Sequence, residues 1–238
     1  MIQAIKRGIP NTITSCNLIS GGIATVFALQ GNAQLALLWI VIGAVFDFFD
    51  GMSARLLHVS SPIGKELDSL ADDITFGLAP SAILFTELHQ VSFPSVLAPV
   101  SAYLPYLAFV MAAFSALRLA NFNLDARQTM GFIGLPTPAN ALFWGSVVIG
   151  FGGWLECWTY GGLFLLAMIG VSCWLLIAEI PMFALKFKQW GWAGNRVKYI
   201  FVLSSAVLLI AFRVQGIALV IAWYIVLSIG CNVVGKAK

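Results

Sequence analysis

Long apolar stretches recur from one end of the chain to the other, and they constrain its fold more than any other feature. The 238 residues are 60% hydrophobic and only 10% charged, whereas soluble domains carry about 25% charged residues. A membrane-spanning helix needs about 20 apolar residues. We predict eight such helices, over residues 13–30, 33–57, 66–88, 97–122, 137–154, 158–186, 197–212 and 215–235. The expected fold class is therefore all-α, a polytopic membrane helix bundle.

The positions of lysine and arginine predict how this bundle is oriented. With eight spans, both termini lie on one side of the membrane. Twelve of the 13 Lys and Arg residues fall on that side, and Arg213 falls on the other. Because cytoplasmic loops carry an excess of positive charge, we expect both termini to be cytoplasmic. The longer polar loops, residues 58–65, 123–136 and 187–196, share this side, so we also expect the active site there.

Charge and cysteine content exclude several classes of function. A net charge of +3 is too small to indicate a nucleic-acid partner. The four cysteines are scattered and form no CxxC motif, so we interpret them as buried small hydrophobic residues rather than a disulfide framework or metal site. The first apolar stretch continues as a full-length span, so we predict no cleavable signal peptide.

Five aspartates lie near the cytoplasmic ends of the second and third spans. Asp47 and Asp50 are three residues apart, and Asp68 and Asp72 are four apart, so each pair shares one helix face. A short loop makes the two helices antiparallel, and their ends should therefore meet. Four converging carboxylates repel each other and need cations, and oxygen ligands suit Mg²⁺ or Mn²⁺. Asp73 lies about 100° around the helix from Asp72, and we expect it to support the site indirectly or to have a structural role.

One segment carries a family signature. It reads Asp47-x2-Asp50-Gly51-x2-Ala54-Arg55-x8-Gly64-x3-Asp68-x3-Asp72. This pattern resembles the signature of the CDP-alcohol phosphotransferases at every fixed position. The resemblance implies a single domain with a six-helix catalytic core over residues 1–186 and about two additional C-terminal helices over residues 187–238. It also implies two divalent ions, a homodimer, and attack of an acceptor hydroxyl on the β-phosphorus of a CDP-linked donor, with release of CMP.

The same resemblance implies roles for individual residues. The four aspartates Asp47, Asp50, Asp68 and Asp72 would bind metal, and Asp72 would also be the catalytic base. A second set would bind the cytidine diphosphate: Gly51, Ala54, Arg55, Thr14, Asn11 and Gly64.

Other segments resemble the phosphatidylserine synthase branch of this family. They are Ile9–Asn17, Leu67–Pro80, Ala116–Asn123 and Phe132–Ala139. This resemblance implies CDP-diacylglycerol as donor and L-serine as acceptor, at the plasma membrane of a prokaryote.

A serine acceptor brings a carboxylate that must be bound beside an acidic cluster, so it needs a cation. Arg118, at the cytoplasmic end of the fourth span, is the natural candidate, because arginine binds a carboxylate through two parallel hydrogen bonds. Lys65 is a second candidate for the acceptor or the diphosphate, and Glu66 is a candidate for the serine ammonium group.

Two alternatives remain open on the sequence. The same chemistry could use glycerol 3-phosphate or an inositol phosphate as acceptor, although such phosphates favour more Lys and Arg around the pocket. A divalent-ion transporter is more remote. Intramembrane aspartates do mark ion pathways, but here they lie at one face and the far half of the membrane has almost no polar residues.

Overall fold

The computed structural model describes residues 2–59, 61–124, 132–182, 191 and 195–236. Within these residues the fold consists mainly of α-helices, with short π-helical and 3₁₀ turns between some of them. The α-helices are α1 Ile2–Leu29, α2 Ala33–Leu56, α3 Pro62–Asp72, α4 Ala79–Gln90, α5 Val110–Leu124, α6 Thr137–Cys157, α7 Gly161–Ile177 and α8 Arg196–Lys236.

Several of these helices can cross a membrane. By length and composition, four described segments are long and apolar enough: Gly8–Leu29, Ala33–Leu56, Leu104–Leu124 and Arg196–Cys231. Each of the eight predicted spans overlaps helical segments within the described residues. The predicted fold class, an all-α polytopic membrane bundle, is confirmed.

A tight turn joins α1 to α2 and makes them antiparallel. Gly31 has a φ of 78°, a left-handed conformation that glycine adopts at little cost. The Asn32 amide donates to the Phe27 carbonyl at 2.9 Å, which is the hydrogen bond of a Schellman motif. The Asn32 side chain then caps α2 by accepting from the Leu35 amide. The two helices pack along their length as a result.

The reversal between α2 and α3 is shorter than predicted. We expected a loop over residues 58–65, but α3 begins at Pro62. The Ser61 side chain caps this helix by accepting from the Gly64 amide at 3.0 Å, and proline is favoured in the first turn because its missing N–H needs no partner there. Gly64 and Lys65 therefore lie in the first turn of α3.

A π-helical turn over Asp73–Leu78 connects α3 to α4 without breaking the helix axis. Pro80 explains it: proline cannot donate to the carbonyl four residues earlier, and its ring would clash with that carbonyl in a regular α-helix. Thr75 in this turn is buried and donates to the Asn17 carbonyl at 3.0 Å. A Cβ at Gly21 would lie 2.7 Å from the Thr75 Cα. Glycine therefore lets α1 touch the backbone of the π turn.

Two predicted spans have different bounds because of proline. The predicted span over residues 97–122 begins as 3₁₀ turns at Ser95–Leu97 and Leu104–Phe109, and the α-helix starts only at Val110. Pro94, Pro99 and Pro105 interrupt the regular hydrogen-bond ladder there.

The predicted span over residues 158–186 is shorter in the structure. Helix α7 ends at Ile177, before Pro181, because the residue preceding a proline disfavours the helical conformation. Pro181–Met182 (β2) then pairs antiparallel with Phe132–Ile133 (β1), a contact that the sequence did not predict.

The C-terminal helix α8 folds back on itself as a hairpin. Arg213 has a φ of 49° and a ψ of −120° and breaks the helix, at the turn predicted between the last two spans. The Trp223 indole donates to the Ser204 hydroxyl at 2.9 Å, although 19 residues of straight helix would separate them by about 28 Å. Gln215 donates to the Gly150 carbonyl of α6 at 2.7 Å. The division into a core and a C-terminal addition stays a prediction.

The core between the helices is apolar. Its largest fully buried side chains include Phe76, Ile83, Leu84, Met111 and Trp144. The expectation that the cysteines are buried is wrong for most of them. Cys173 is buried, whereas Cys157 and Cys231 are exposed on the outer surface of the bundle and Cys16 is partly exposed, where a small apolar side chain can face lipid.

The contact between α1 and the π turn predicts different effects for substitutions at two adjacent glycines. Gly21→Ala should destabilise the protein by about 1–3 kcal/mol, because the added Cβ meets the Thr75 backbone. Gly22→Ala is the matched control, since a Cβ there meets nothing within 4 Å. Thermal unfolding in detergent should give a lower melting temperature for Gly21→Ala only. Equal melting temperatures for the two variants would contradict the described contact.

Candidate active site

The carboxylates of α2 and α3 converge as predicted. One oxygen from each of Asp47, Asp50 and Asp68 lies within 4.8 Å of the other two. Asp72, one turn further along α3, lies within electrostatic range of all three. Two helix ends therefore bring four acidic side chains into one small volume.

Helix α1 supports this cluster through two side chains. The Thr14 hydroxyl donates a short hydrogen bond to Asp50 Oδ2. The Asn17 amide donates to Asp72 Oδ1 at 3.0 Å, and Asn17 is fully buried. The site residues predicted from the sequence did not include Asn17. Its position three residues after Thr14, on the same face of α1, is the signal that could have identified it.

The cluster fits divalent cations. All of its donor atoms are carboxylate oxygens, which Mg²⁺ and Mn²⁺ prefer. Asp68 Oδ1 is buried and has no hydrogen-bond partner among the described residues, and an unpaired buried carboxylate oxygen is costly. A bound cation would satisfy this oxygen and reduce the repulsion between the four side chains.

A cavity of about 330 Å³ opens beside the carboxylates, between α1, α2 and the start of α3. Five of the six predicted nucleotide-binding residues line it, together with Asp50, Asp68 and Lys65. The five are Asn11, Thr14, Gly51, Ala54 and Gly64. The structure therefore groups residues that are up to 53 positions apart in the sequence around one cavity.

The remaining predicted nucleotide residue, Arg55, is not part of this lining. Its side chain is exposed, and its Nε donates to the Gly51 carbonyl of the preceding turn at 3.0 Å. Arg55 thus lies at the outer end of α2, one turn from the cavity wall. Its role in nucleotide binding stays a prediction.

The three candidates for acceptor binding are in different surroundings. Arg118 is 8% exposed, lies within electrostatic range of Asp72, and has its guanidinium 5.9 Å from the centre of the Phe122 ring. Lys65 lines the cavity and donates to the Asn123 carbonyl at 2.8 Å. Glu66 is exposed on α3 and does not line the cavity. Only Arg118 is buried next to the aspartates.

Comparison with known proteins agrees with this geometry. Residues 7–158, which include every predicted metal-binding and nucleotide-binding residue, match the CDP-alcohol phosphatidyltransferase family. The described cavity and the acidic cluster both fall inside this match.

Several individual proteins that are similar to this chain share the same name. A CDP-diacylglycerol–serine O-phosphatidyltransferase of Bacillus subtilis is 39% identical over 131 residues, which cover 55% of this chain and 69% of that protein. A protein of the same name from Mycobacterium leprae is 28% identical over 233 residues, 94% of this chain and 73% of its own length. Another, from Saccharomyces cerevisiae, is 38% identical over 142 residues, which cover 53% of this chain and 48% of that protein. The M. leprae similarity extends beyond the family match towards the C terminus.

The open space around Gly51 predicts a variant that folds normally but binds a nucleotide donor more weakly. A Cβ at Gly51 meets nothing within 4 Å, so Gly51→Leu should keep its melting temperature while filling part of the cavity. Equilibrium binding of CDP-diacylglycerol in detergent should weaken by about tenfold or more, since lost contacts of about 1.4 kcal/mol give that factor. The control is Gly22→Leu, equally open but outside the cavity. Unchanged binding to a stable Gly51→Leu protein would show that the donor binds elsewhere.

Proposed function

Because the chain belongs to the CDP-alcohol phosphatidyltransferase family, we propose that it transfers the phosphatidyl group of CDP-diacylglycerol to the hydroxyl of L-serine. The products are phosphatidylserine and CMP. The convergence of three carboxylates within 4.8 Å, beside a cavity lined by the family's signature residues, carries this proposal. The names of the similar proteins support serine as the acceptor.

The cavity accounts for binding of the donor. Gly51 and Ala54 lack side chains that would fill the space next to α2, so a cytidine diphosphate can approach the helix backbone. Asn11 and Thr14 offer hydrogen-bonding groups from α1. The acyl chains of the donor stay in the bilayer while its head group enters the cavity.

Asp47, Asp50, Asp68 and Asp72 would hold two Mg²⁺ or Mn²⁺ ions, as the oxygen donor set allows. When bound there, such ions neutralise the diphosphate and stabilise the charge that develops on the leaving phosphate. Thr14 and Asn17 keep two of these carboxylates in position through their hydrogen bonds.

Asp72 would be the general base. Asn17 donates to its Oδ1, which leaves Oδ2 to accept the proton of the serine hydroxyl. The serine oxygen then forms a bond to the β-phosphorus of the donor, and the bond from that phosphorus to the bridging oxygen of CMP breaks. General-base catalysis of this kind typically contributes about 10²–10⁴-fold.

Arg118 would bind the serine carboxylate. It is buried beside Asp72, and a guanidinium can hold a carboxylate through two parallel hydrogen bonds. Lys65, at the cavity wall, would contact the diphosphate or the acceptor, and Glu66 is the sequence-based candidate for the ammonium group. We further propose that the enzyme is a homodimer in a prokaryotic plasma membrane, with its active site and both termini on the cytoplasmic side.

An acceptor panel tests the proposed function. Purified protein with CDP-diacylglycerol and Mg²⁺ or Mn²⁺ should release CMP with L-serine and form phosphatidylserine, and release should be much slower with glycerol 3-phosphate or inositol phosphate. Asp72→Asn is the control that assigns the activity to this site, with a rate about 100-fold lower and donor binding largely retained.

Two outcomes would contradict the proposal. Faster CMP release with glycerol 3-phosphate or inositol phosphate than with L-serine would show that the acceptor is a phosphate-bearing alcohol. Divalent-ion uptake into sealed vesicles without any CMP release would favour the transporter.

A further inference from the structure

Polar atoms are buried next to Asp72 on the side away from the nucleotide cavity. Ser115 and Arg118 lie one turn apart on the inner face of α5, 0% and 8% exposed. Asn140 of α6 is 1% exposed and donates to the Met111 sulfur of the same α5 face at 3.2 Å. The nucleotide cavity is lined by residues of α1, α2, α3 and the α2–α3 turn, so these groups belong to a second polar region, between α5, α6 and the π turn.

Asp73 faces this second region. A Cβ at Gly77 would lie 2.5 Å from Asp73 Oδ1 and 2.9 Å from Ser115 Oγ. The carboxylate and the hydroxyl are therefore neighbours, and both contact Gly77. Asp73 Oδ1 is buried and makes no hydrogen bond of good geometry among the described residues, although the Ser115 hydroxyl is close enough to stabilise the charged carboxylate. The π turn begins at Asp73, and such turns are frequent at functional sites. The sequence-based expectation of a supporting or structural role did not identify which groups this oxygen faces.

Arg118 presents the opposite charge in the same region. Its Nε is buried without a hydrogen-bond partner among the described residues. Because Arg118 follows Ser115 by three residues on the helix, its side chain lies on the face that Ser115 presents to Asp73. Neither Asp73 nor Arg118 takes part in an ion pair within the described part of the chain, although their charges are opposite.

Buried groups of this kind need a ligand. A carboxylate oxygen and a guanidinium N–H that lack partners each cost about 1–3 kcal/mol or more. An α-amino acid carries both complementary charges on one carbon atom. Bound between the two side chains, it would satisfy both of them and place its own side chain towards Asp72.

We propose that Asp73, together with the Ser115 hydroxyl, binds the ammonium group of the amino-acid acceptor whose carboxylate is held by Arg118. This inference rests on the proposed function, since it requires an amino acid as acceptor. In this inference Asp73, rather than the sequence-based candidate Glu66, binds the ammonium group of serine. Asp73 is partly buried with its Oδ1 fully enclosed, and it meets Ser115 one turn from Arg118, whereas Glu66 is exposed on α3.

The site also predicts a preference for serine over phosphate-bearing acceptors. Glycerol 3-phosphate and inositol phosphate have no cationic group to pair with Asp73, and their phosphate would be repelled by it. A carboxylate at this position therefore weakens the binding of anionic acceptors and strengthens the binding of serine.

Asp73→Asn tests this assignment with two ligands that differ only in the ammonium group. The KM for L-serine in CMP release should rise about tenfold or more, the loss expected for a hydrogen bond between charged groups. The inhibition constant of 3-hydroxypropanoate, which is serine without its amino group, should stay the same or fall, because Asn does not repel its carboxylate. The KM for CDP-diacylglycerol should change by less than about twofold, well below the tenfold that 1.4 kcal/mol gives.

Two further variants keep the test decisive. Glu156→Gln removes an exposed carboxylate at the opposite end of α6. It should leave unchanged both KM values, for L-serine and for CDP-diacylglycerol, and the inhibition constant of 3-hydroxypropanoate. Ser115→Ala keeps the charge of Asp73 and should raise the KM for L-serine by a smaller factor, which serves if Asp73→Asn does not fold.

The inference is overturned if Asp73→Asn and Ser115→Ala leave the KM for L-serine unchanged. It is also overturned if they weaken serine and 3-hydroxypropanoate equally, or if Glu66→Gln gives the serine-specific effect. Absence of any CMP release by the wild-type protein with L-serine would instead refute the proposed function itself.

Discussion

Mutual repulsion among aspartates at the junction of α2 and α3 is the constraint on which the rest of the structure depends. Asp47, Asp50 and Asp68 approach within 4.8 Å in a chain that is only 10% charged. At such distances two negative charges repel by about 4 kcal/mol near a protein surface. Hydrogen bonds from Thr14 and Asn17 offset part of this repulsion, and cations bound between the helix ends would offset more of it. The proposed chemistry would use the same cations.

Close packing of α1 holds the junction in place. Gly21 and Gly43 both face Thr75 of the π turn, where a Cβ at either position would overlap its atoms. This approach brings Thr14 and Asn17 within hydrogen-bonding distance of Asp50 and Asp72. Small residues are a common means of packing helices in membranes, where apolar surface alone gives no preference for one neighbour. Helix α1 therefore positions Asn11 and Thr14 at the cavity and Asn17 beside the proposed base.

Helical periodicity explains why much of this site could be predicted from the sequence. Spacings of three and four residues place Asp47 with Asp50 and Asp68 with Asp72 in any α-helix, and a short connection brings the pairs together. Element bounds near Pro62 and Pro181 were less predictable, because proline can begin a helix or end one. The direction of Asp73 depends on the π turn and on α5, which meet only in the folded protein. Local spacing therefore suggested only an indirect or structural role for a side chain that faces a second polar region.

An experimental structure of the protein with Mn²⁺, with the metal located by anomalous scattering, tests the central claim most directly. Two metal peaks should lie among the carboxylates of Asp47, Asp50, Asp68 and Asp72, with metal–oxygen distances of about 2.1 Å. The account would be contradicted by a folded protein without metal between these side chains. It would equally be contradicted if the α2 carboxylates lay too far from those of α3 for one ion to contact both.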